Sequence, residues 1–267
     1  MTSICVAFIG LGQMGRPMSG HLAKAGHAIR AYDASAETLA TVAAEIGATP
    51  CASAAEAAKG ADVLITMLPD GKAVRAVLVD AGAAAALPRT SVAIDMSSSD
   101  PVGTRTLGAD LAAQGLMLID APVSGGVARA KTAQLSIMAG GDAAVIESMR
   151  PLLEVMGNRI FLTGPLGSGH AMKALNNYVS AAGLAAVCEA LVVGRAFGLD
   201  PAAMNEVLNA STGKNNTTEV KVKQFLLSGA FNSGFSAGLM AKDLSTAAGL
   251  ADAMGVEAPF AHDCVAV

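Results

Sequence analysis

Apolar residues fall in two different rhythms along this chain. Up to Thr163, short apolar runs bounded by turn residues alternate with amphipathic stretches. Residues 4–9, 27–32, 63–67, 92–95 and 117–120 read as strands. Helices are expected from Gly15 to about Ala25, over 36–45, and from Pro101 towards Gln114. Runs that are apolar at consecutive positions suit strands buried on both faces, and their spacing by helices predicts βαβ units and a parallel sheet. Asp100-Pro101 reads as a helix start: the aspartate can cap orphan N–H groups, and proline fits the first helical position, where no donor is needed. Residues 135–139 and 159–163 read as closing strands around a helix over 143–156.

After Thr163 the alternation stops. A long apolar helix over 178–197 is followed by a second cap-and-proline start, Asp200-Pro201, and by helical segments near 202–209, 218–227 and 239–254. An α/β half followed by an all-helical half predicts two domains, 1–163 and 164–267. The long helix carries Glu189 and Arg195, so it reads as a core helix of a soluble protein with no membrane partner.

Composition narrows the class. With 52% hydrophobic and 15% charged residues in a 267-residue chain, a sizeable core is expected and disorder is not. The net charge is −4 and no Lys/Arg cluster stands out, which argues against a nucleic-acid partner. Cys5, Cys51, Cys188 and Cys264 lack metal-ligand spacing and read as small hydrophobes in a reducing compartment, so no metal site is expected. Met1-Thr-Ser runs straight into a strand-like segment without a basic stretch, so no signal peptide and a cytoplasmic location are expected.

The clearest chemistry lies at Gly10-Leu11-Gly12-Gln13-Met14-Gly15, between the first strand and the first helix. The first glycine permits a tight turn, the second lets backbone amides approach a pyrophosphate, and the third lets helix and strand pack closely. Asp33 ends the second strand at nearly the spacing expected of an acid that binds the adenosine ribose. That carboxylate would repel the extra phosphate of NADP. Ala34 follows it instead of an arginine, and Arg30 lies back within the strand, so NAD is expected over NADP.

Other segments are ambiguous when taken alone. Met67-Leu68-Pro69-Asp70 and Asp95-Met96-Ser97-Ser98-Ser99 follow strands whose carboxyl ends are where ligands bind in such sheets, yet they also read as ordinary helix starts. Ser124-Gly125-Gly126 offers a hydroxyl and unshielded amides for a substrate carboxylate, or simply a Gly-Gly turn. In Gly167-Ser-Gly-His-Ala-Met-Lys173-Ala-Leu-Asn-Asn177, Lys173 and Asn177 share one helical face, and the glycines would let backbone approach a ligand. Lys173 is either a solvated end charge or a working acid/base. A cation near the positive end of a helix is slightly unfavourable, which tips the reading towards function.

Together with Leu239-Met-Ala-Lys242-Asp243-Leu244, these segments stand in the order seen in the β-hydroxyacid dehydrogenases, and the chain resembles that family over nearly its whole length. The resemblance implies an α/β Rossmann-type cofactor domain and a helical domain hinged by the long helix, with the active site in the cleft between them. It implies that Lys173 is the catalytic residue and that Asn177 helps to hold the substrate. It further implies that Ser124, Gly125 and Gly126 bind the substrate carboxylate, that Leu68, Pro69 and Ser97 touch NAD, and that Lys242 reaches its nicotinamide side. A homodimer or homotetramer is also implied. The expected reaction is hydride transfer between a short β-hydroxy acid, such as 3-hydroxyisobutyrate, and NAD, with a lysine as general acid/base.

Alternatives within the family are a tartronate semialdehyde reductase and a serine- or threonate-type dehydrogenase. Imine reductases share the architecture but usually lack the lysine, and a sugar-acid phosphate would want an arginine cluster. A catalytically silent dinucleotide-binding module is the alternative of another class. Two departures from the family pattern stand out. Asn216 occupies a position where 3-hydroxyisobutyrate dehydrogenases usually carry tryptophan, and the chain has no Trp at all, so a more polar, roomier substrate pocket is expected. Family members also continue with a further helical tail beyond the region of Pro259-Phe260.

Overall fold

The structure, a computed structural model, describes residues 3–266. The chain divides into two compact units, one ending at Lys173 and one beginning at Ala174.

The first unit opens with β1 (Cys5–Ile9), α1 (Gly15–Lys24), β2 (Ala28–Tyr32), α2 (Ala36–Ile46), β3 (Thr49–Pro50) and α3 (Ala54–Ala58). Next come β4 (Val63–Thr66), α4 (Gly71–Arg75) with a π-helical continuation over Ala76–Asp80, α5 (Ala83–Ala86), β5 (Val92–Asp95) and α6 (Pro101–Ala112). It closes with β6 (Met117–Asp120), β7 (Val123–Ser124), α7 (Gly126–Lys131), β8 (Leu135–Gly140), α8 (Ala143–Glu154), β9 (Gly157–Gly164) and the start of α9 (Ser168–Phe197).

Among the described residues the strands form one sheet in the order β3-β2-β1-β4-β5-β6-β8-β7, with β9 on β8. From β3 through β6 the pairing is parallel. The expected parallel sheet holds to that point, but β8 then pairs antiparallel with both β6 and β7, and β9 runs parallel to β8. Between β7 and β8 stands only the six-residue α7, too short a connection for a parallel crossover, so the chain turns back on itself.

The sheet is buried on both faces, as its consecutive apolar runs require. Val6 and Phe8 of β1 join Ile65, Ile94 and Ile119 in one core. Ala7 and Ile9 face the opposite way and join Leu64, Ala93 and Leu118 in a second core. Successive side chains of a strand point to opposite faces, so one run of residues feeds two layers of helices. The helix starts follow local chemistry. Asp100 accepts from Gly103 N–H with Pro101 behind it, and Asp200 accepts from Ala203 N–H ahead of α10 (Pro201–Ala210). β3, α3 and α7 were not evident in the sequence, because each is too short to show a period.

The second unit consists of the remainder of α9, α10, a π-helical segment over Thr217–Leu226, α11 (Ala237–Ala253) and α12 (Pro259–Ala266). Two small cores hold it: Ala181 with Leu244 and Cys264, and Val187 with Leu191 and Val222. Tyr178 and Phe260 meet edge to face with ring centroids 6.4 Å apart.

The expectation of a buried core helix over 178–197 is not met. Helix α9 is long and apolar enough to cross a membrane, by length and composition only, and 22% of its most apolar window is buried. Val179, Val192, Val193 and Phe197 are exposed. A helix of this length outruns the two small cores that pack on it. All four cysteines are free: Cys51 and Cys264 are buried, and Cys5 and Cys188 are half-buried. Burial pushes each thiol above its ordinary range, which suits small hydrophobes better than nucleophiles.

Candidate active site

The strand order reverses between β1 and β4, and the turns that follow these two strands line a slot of about 410 Å³. Its walls include Gly10, Gly12, Gln13, Met14, Gly15, Asp33, Met67, Leu68 and Pro69. This is the switch point at which open α/β sheets bind dinucleotides.

Each glycine of the turn has its own reason. Gly10 has φ +95°, and a Cβ there would stand 2.3 Å from the Met67 carbonyl oxygen. A Cβ on Gly15 would stand 1.9 Å from the Gly10 carbonyl oxygen, so helix and turn touch backbone to backbone. Gly12 meets nothing within 4 Å. Its missing side chain leaves the slot open where phosphates would lie. Helix α1 has no side-chain cap and no acid in its first turn, whereas α2, α4, α6, α8 and α10 each carry a Ser or Asp cap. Its orphan N–H groups are therefore left for an anion.

Asp33 stands where the sequence puts it. Its Oδ2 accepts Leu11 N–H at 2.7 Å and its Oδ1 accepts Ser35 N–H at 2.8 Å, which orient the carboxylate and leave lone pairs for ribose hydroxyls. Arg30 is committed elsewhere: its guanidinium donates to the carbonyls of Ala57 and Glu56. The slot's donor set suits NAD, and Ala34 on its wall offers nothing to a 2′-phosphate.

Ser97 does not line the slot. It is buried behind it, and its hydroxyl accepts Leu68 N–H at 2.9 Å, so it fixes the Met67-Leu68-Pro69 loop from below. Asp95, at the end of β5, organises that support by accepting from Thr66 Oγ1, Ser97 N–H and Ser99 Oγ.

At the end of β6 the chain enters Ser124-Gly125-Gly126. Gly125 and Gly126 have φ of +128° and +63°, and a Cβ on Gly125 would collide with Arg129 at 2.6 Å. Ser124 is half-buried in β7. Lys173 lies in the first turns of α9, whose start is held by Asp120: Gly167 N–H donates to Oδ1 and His170 N–H to Oδ2. The glycines before Lys173 let the helix start pack closely on neighbouring backbone. A Cβ on Gly167 would stand 2.8 Å from the Pro101 carbonyl oxygen, and one on Gly169 would stand 2.2 Å from that of Met138.

In the second unit, Asn177 donates to Asp243 Oδ2, and Lys242 Nζ lies 3.2 Å from Asp243 Oδ1. Asn216 is exposed and caps nothing; its neighbour Asn215 caps the following segment by accepting from Thr217 and Thr218 N–H. Asp95, Asp120 and Asp243, whose carboxylates hold these segments in place, have no assigned role in the sequence. For the first two the available signal was a carboxylate closing an otherwise apolar strand, since a buried carboxylate must find donors.

Residues 5–164 match the family described as the NAD binding domain of 6-phosphogluconate dehydrogenase. Residues 167–267 match the family described as NAD-binding of NADP-dependent 3-hydroxyisobutyrate dehydrogenase. The chain is 39% identical to a 3-hydroxyisobutyrate dehydrogenase of Pseudomonas aeruginosa, covering 95% of this chain and 86% of that protein. It is 38% identical to an NAD-dependent L-serine dehydrogenase of the same organism, over 96% and 88%. The solved structure of Mycobacterium tuberculosis 3-hydroxyisobutyrate dehydrogenase with L-serine is similar with a TM-score of 0.92 at 36% identity, covering 99% of this chain and 92% of that one. Fold, slot and relatives define an NAD-dependent oxidoreductase. The chain belongs to the β-hydroxyacid dehydrogenase family.

Proposed function

We propose that the protein transfers a hydride between a short β-hydroxy acid of the 3-hydroxyisobutyrate type and NAD, with Lys173 as the general acid/base. The observation that carries the reading is the placement of Lys173 on a helix start fixed by Asp120, whose strand leads directly into Ser124-Gly125-Gly126. NAD, when bound, supplies the hydride acceptor for oxidation, and its reduced form supplies the donor for the reverse reaction. Residues 1–163 carry the cofactor and residues 164–267 contribute to the substrate. Leu68, Pro69 and the turn Gly10–Gly15 hold the dinucleotide, with Asp33 on the ribose and Lys242 towards the nicotinamide.

As a neutral amine, Lys173 takes the hydroxyl proton at Nζ while the substrate's C–H bond gives up its hydride. In the reverse direction its ammonium donates that proton to the carbonyl oxygen. Ser124 Oγ and the amides of Gly125 and Gly126 bind the substrate carboxylate, and Asn177 and Asn216 offer amides to the remaining polar groups. Asn216 favours a second reading, turnover of hydroxylated acids such as tartronate semialdehyde or L-serine, because an exposed amide replaces an apolar indole. We also propose that the protein is a cytoplasmic homodimer or homotetramer whose copies cover the exposed apolar residues of α9, to be checked by light scattering on the eluted protein.

NADH formation with 3-hydroxyisobutyrate, L-serine, glycerate and threonate tests the assignment. Turnover with one of them, lost by about 10²-fold or more in Lys173→Ala, is expected. Cofactor binding without turnover on any of the acids would instead indicate a silent binding module.

A further inference from the structure

Asp120 ends β6 and is fully buried. Its Oδ1 accepts Gly167 N–H at 2.7 Å and its Oδ2 accepts His170 N–H at 2.8 Å. Both amides lie at the start of α9, where a helix leaves donors without intrahelical partners. A carboxylate in that place also meets the positive end of a 30-residue helix. The fit is tight. A Cβ on Gly140 would stand 2.6 Å from Asp120 Oδ1, and one on Gly169 would stand 2.8 Å from Oδ2. Glycine at both positions lets the helix start press against the strand ends.

A second tie reinforces the first. Thr104 Oγ1, on α6, donates to the Asp100 carbonyl at 2.9 Å. The same hydroxyl lies 2.8 Å from His170 Nδ1, a hydrogen bond whose donor depends on the ring's tautomer. Thr104 and His170 are both buried, and His170 thus pins the first turn of α9 to α6.

Asp120 is also where the chain enters the Ser124-Gly125-Gly126 loop, and His170 precedes Lys173 by one helical turn. One carboxylate therefore joins the segment assigned to the substrate carboxylate and the segment assigned to proton transfer. We propose that Asp120 is a positioning residue that registers Lys173 against that loop, with Thr104–His170 as its second tie. The proposal rests on the reading of Lys173 as the acid/base.

The variant Asp120→Asn keeps size but replaces one acceptor by a donor facing an N–H group. A misplacement of about 1 Å can cost about 10²-fold in rate, so kcat is expected to fall by that order. NADH affinity should hold within about twofold, and amide exchange at Gly167 and His170 should accelerate. Accelerated exchange with unchanged kcat overturns the proposal. So does a parallel loss of kcat and NADH affinity, which would mark a general structural role. If Asp120→Asn does not fold, Thr104→Val and Thr104→Ser carry the test: Val should lower kcat several-fold at constant NADH affinity and Ser should restore it, whereas equal kcat in both overturns the proposal. Full turnover by Lys173→Ala would overturn the underlying reading and the proposal with it. That failure is distinguishable, because the exchange measurement on Asp120→Asn reports the capping bonds without reference to chemistry.

Discussion

The side-chain amide of Asn177 donates to Oδ2 of Asp243, and the other oxygen of that carboxylate lies 3.2 Å from Nζ of Lys242. Two residues that the sequence assigns to substrate and cofactor are thus oriented by a third, which is 4% exposed. Replacing Asp243 by Ala removes that acceptor from the half-buried Asn177 amide, and a hydrogen bond to a charged group contributes about 1.5–3 kcal/mol. Asp243→Ala should lower kcat/KM about as much as Asn177→Ala. The double variant should fall short of the sum of the two losses, because both remove one interaction. Strict additivity in steady-state kinetics would show that the two side chains act separately.

The three glycines of the cofactor turn should respond differently to alanine. Gly15→Ala forces a Cβ to within 1.9 Å of the Gly10 carbonyl oxygen, so destabilisation of about 1–3 kcal/mol or more is expected. Gly12→Ala meets nothing within 4 Å and should melt within about 0.5 kcal/mol of the parent. Its methyl would intrude on the phosphate position proposed for the turn, so NADH should bind about tenfold more weakly. Thermal melts and a fluorescence titration separate the two effects; a Gly12→Ala protein that binds NADH normally would remove the phosphates from that spot.

Cofactor choice should follow the end of β2. Asp33→Ser with Ala34→Arg removes the carboxylate and adds a guanidinium for a 2′-phosphate, while Arg30 stays tied to Ala57 and Glu56. The ratio of kcat/KM for NADP over NAD should rise by about 10²-fold, a differential of nearly 3 kcal/mol. Some loss of stability should accompany the change, because Asp33 also accepts Leu11 N–H. An unchanged ratio would place the ribose elsewhere.

Lys221 sets a pH dependence of stability in the second unit. Burial holds its ammonium below the ordinary value of 10.5, partly offset by the nearby Cys188. Its folded-state value is depressed, so between that value and 10.5 the unfolded chain binds more protons there and stability rises with pH. Lys221→Met should therefore raise the melting temperature at neutral pH, with an advantage that shrinks as pH approaches 10.5. A variant less stable than the parent at every pH would mean that the lysine's stem packing outweighs its desolvation.

What the sequence determined by itself was local or periodic. The strands of the sheet show as apolar runs because both faces are buried, and Asp100-Pro101 and Asp200-Pro201 mark helix starts because capping needs only neighbours. The placement of the glycine turn beside Asp33 is equally legible, since its glycines and its acid lie on adjacent elements of one βαβ unit. Tertiary structure alone decided the rest. That Gly167 and Gly169 lie against the carbonyls of Pro101 and Met138 shows only in the fold. That Ser97 supports the Met67-Leu68-Pro69 loop through Leu68 N–H shows only in the fold, because the two residues lie on different loops of the sheet. The long helix reads as buried because its composition is apolar, and only its neighbours determine which valines remain exposed. Asp120 shows the difference most directly. Its charge is visible in the sequence, but the two amides that justify burying it come from a helix start 47 and 50 residues away, and no local pattern encodes contacts of that range.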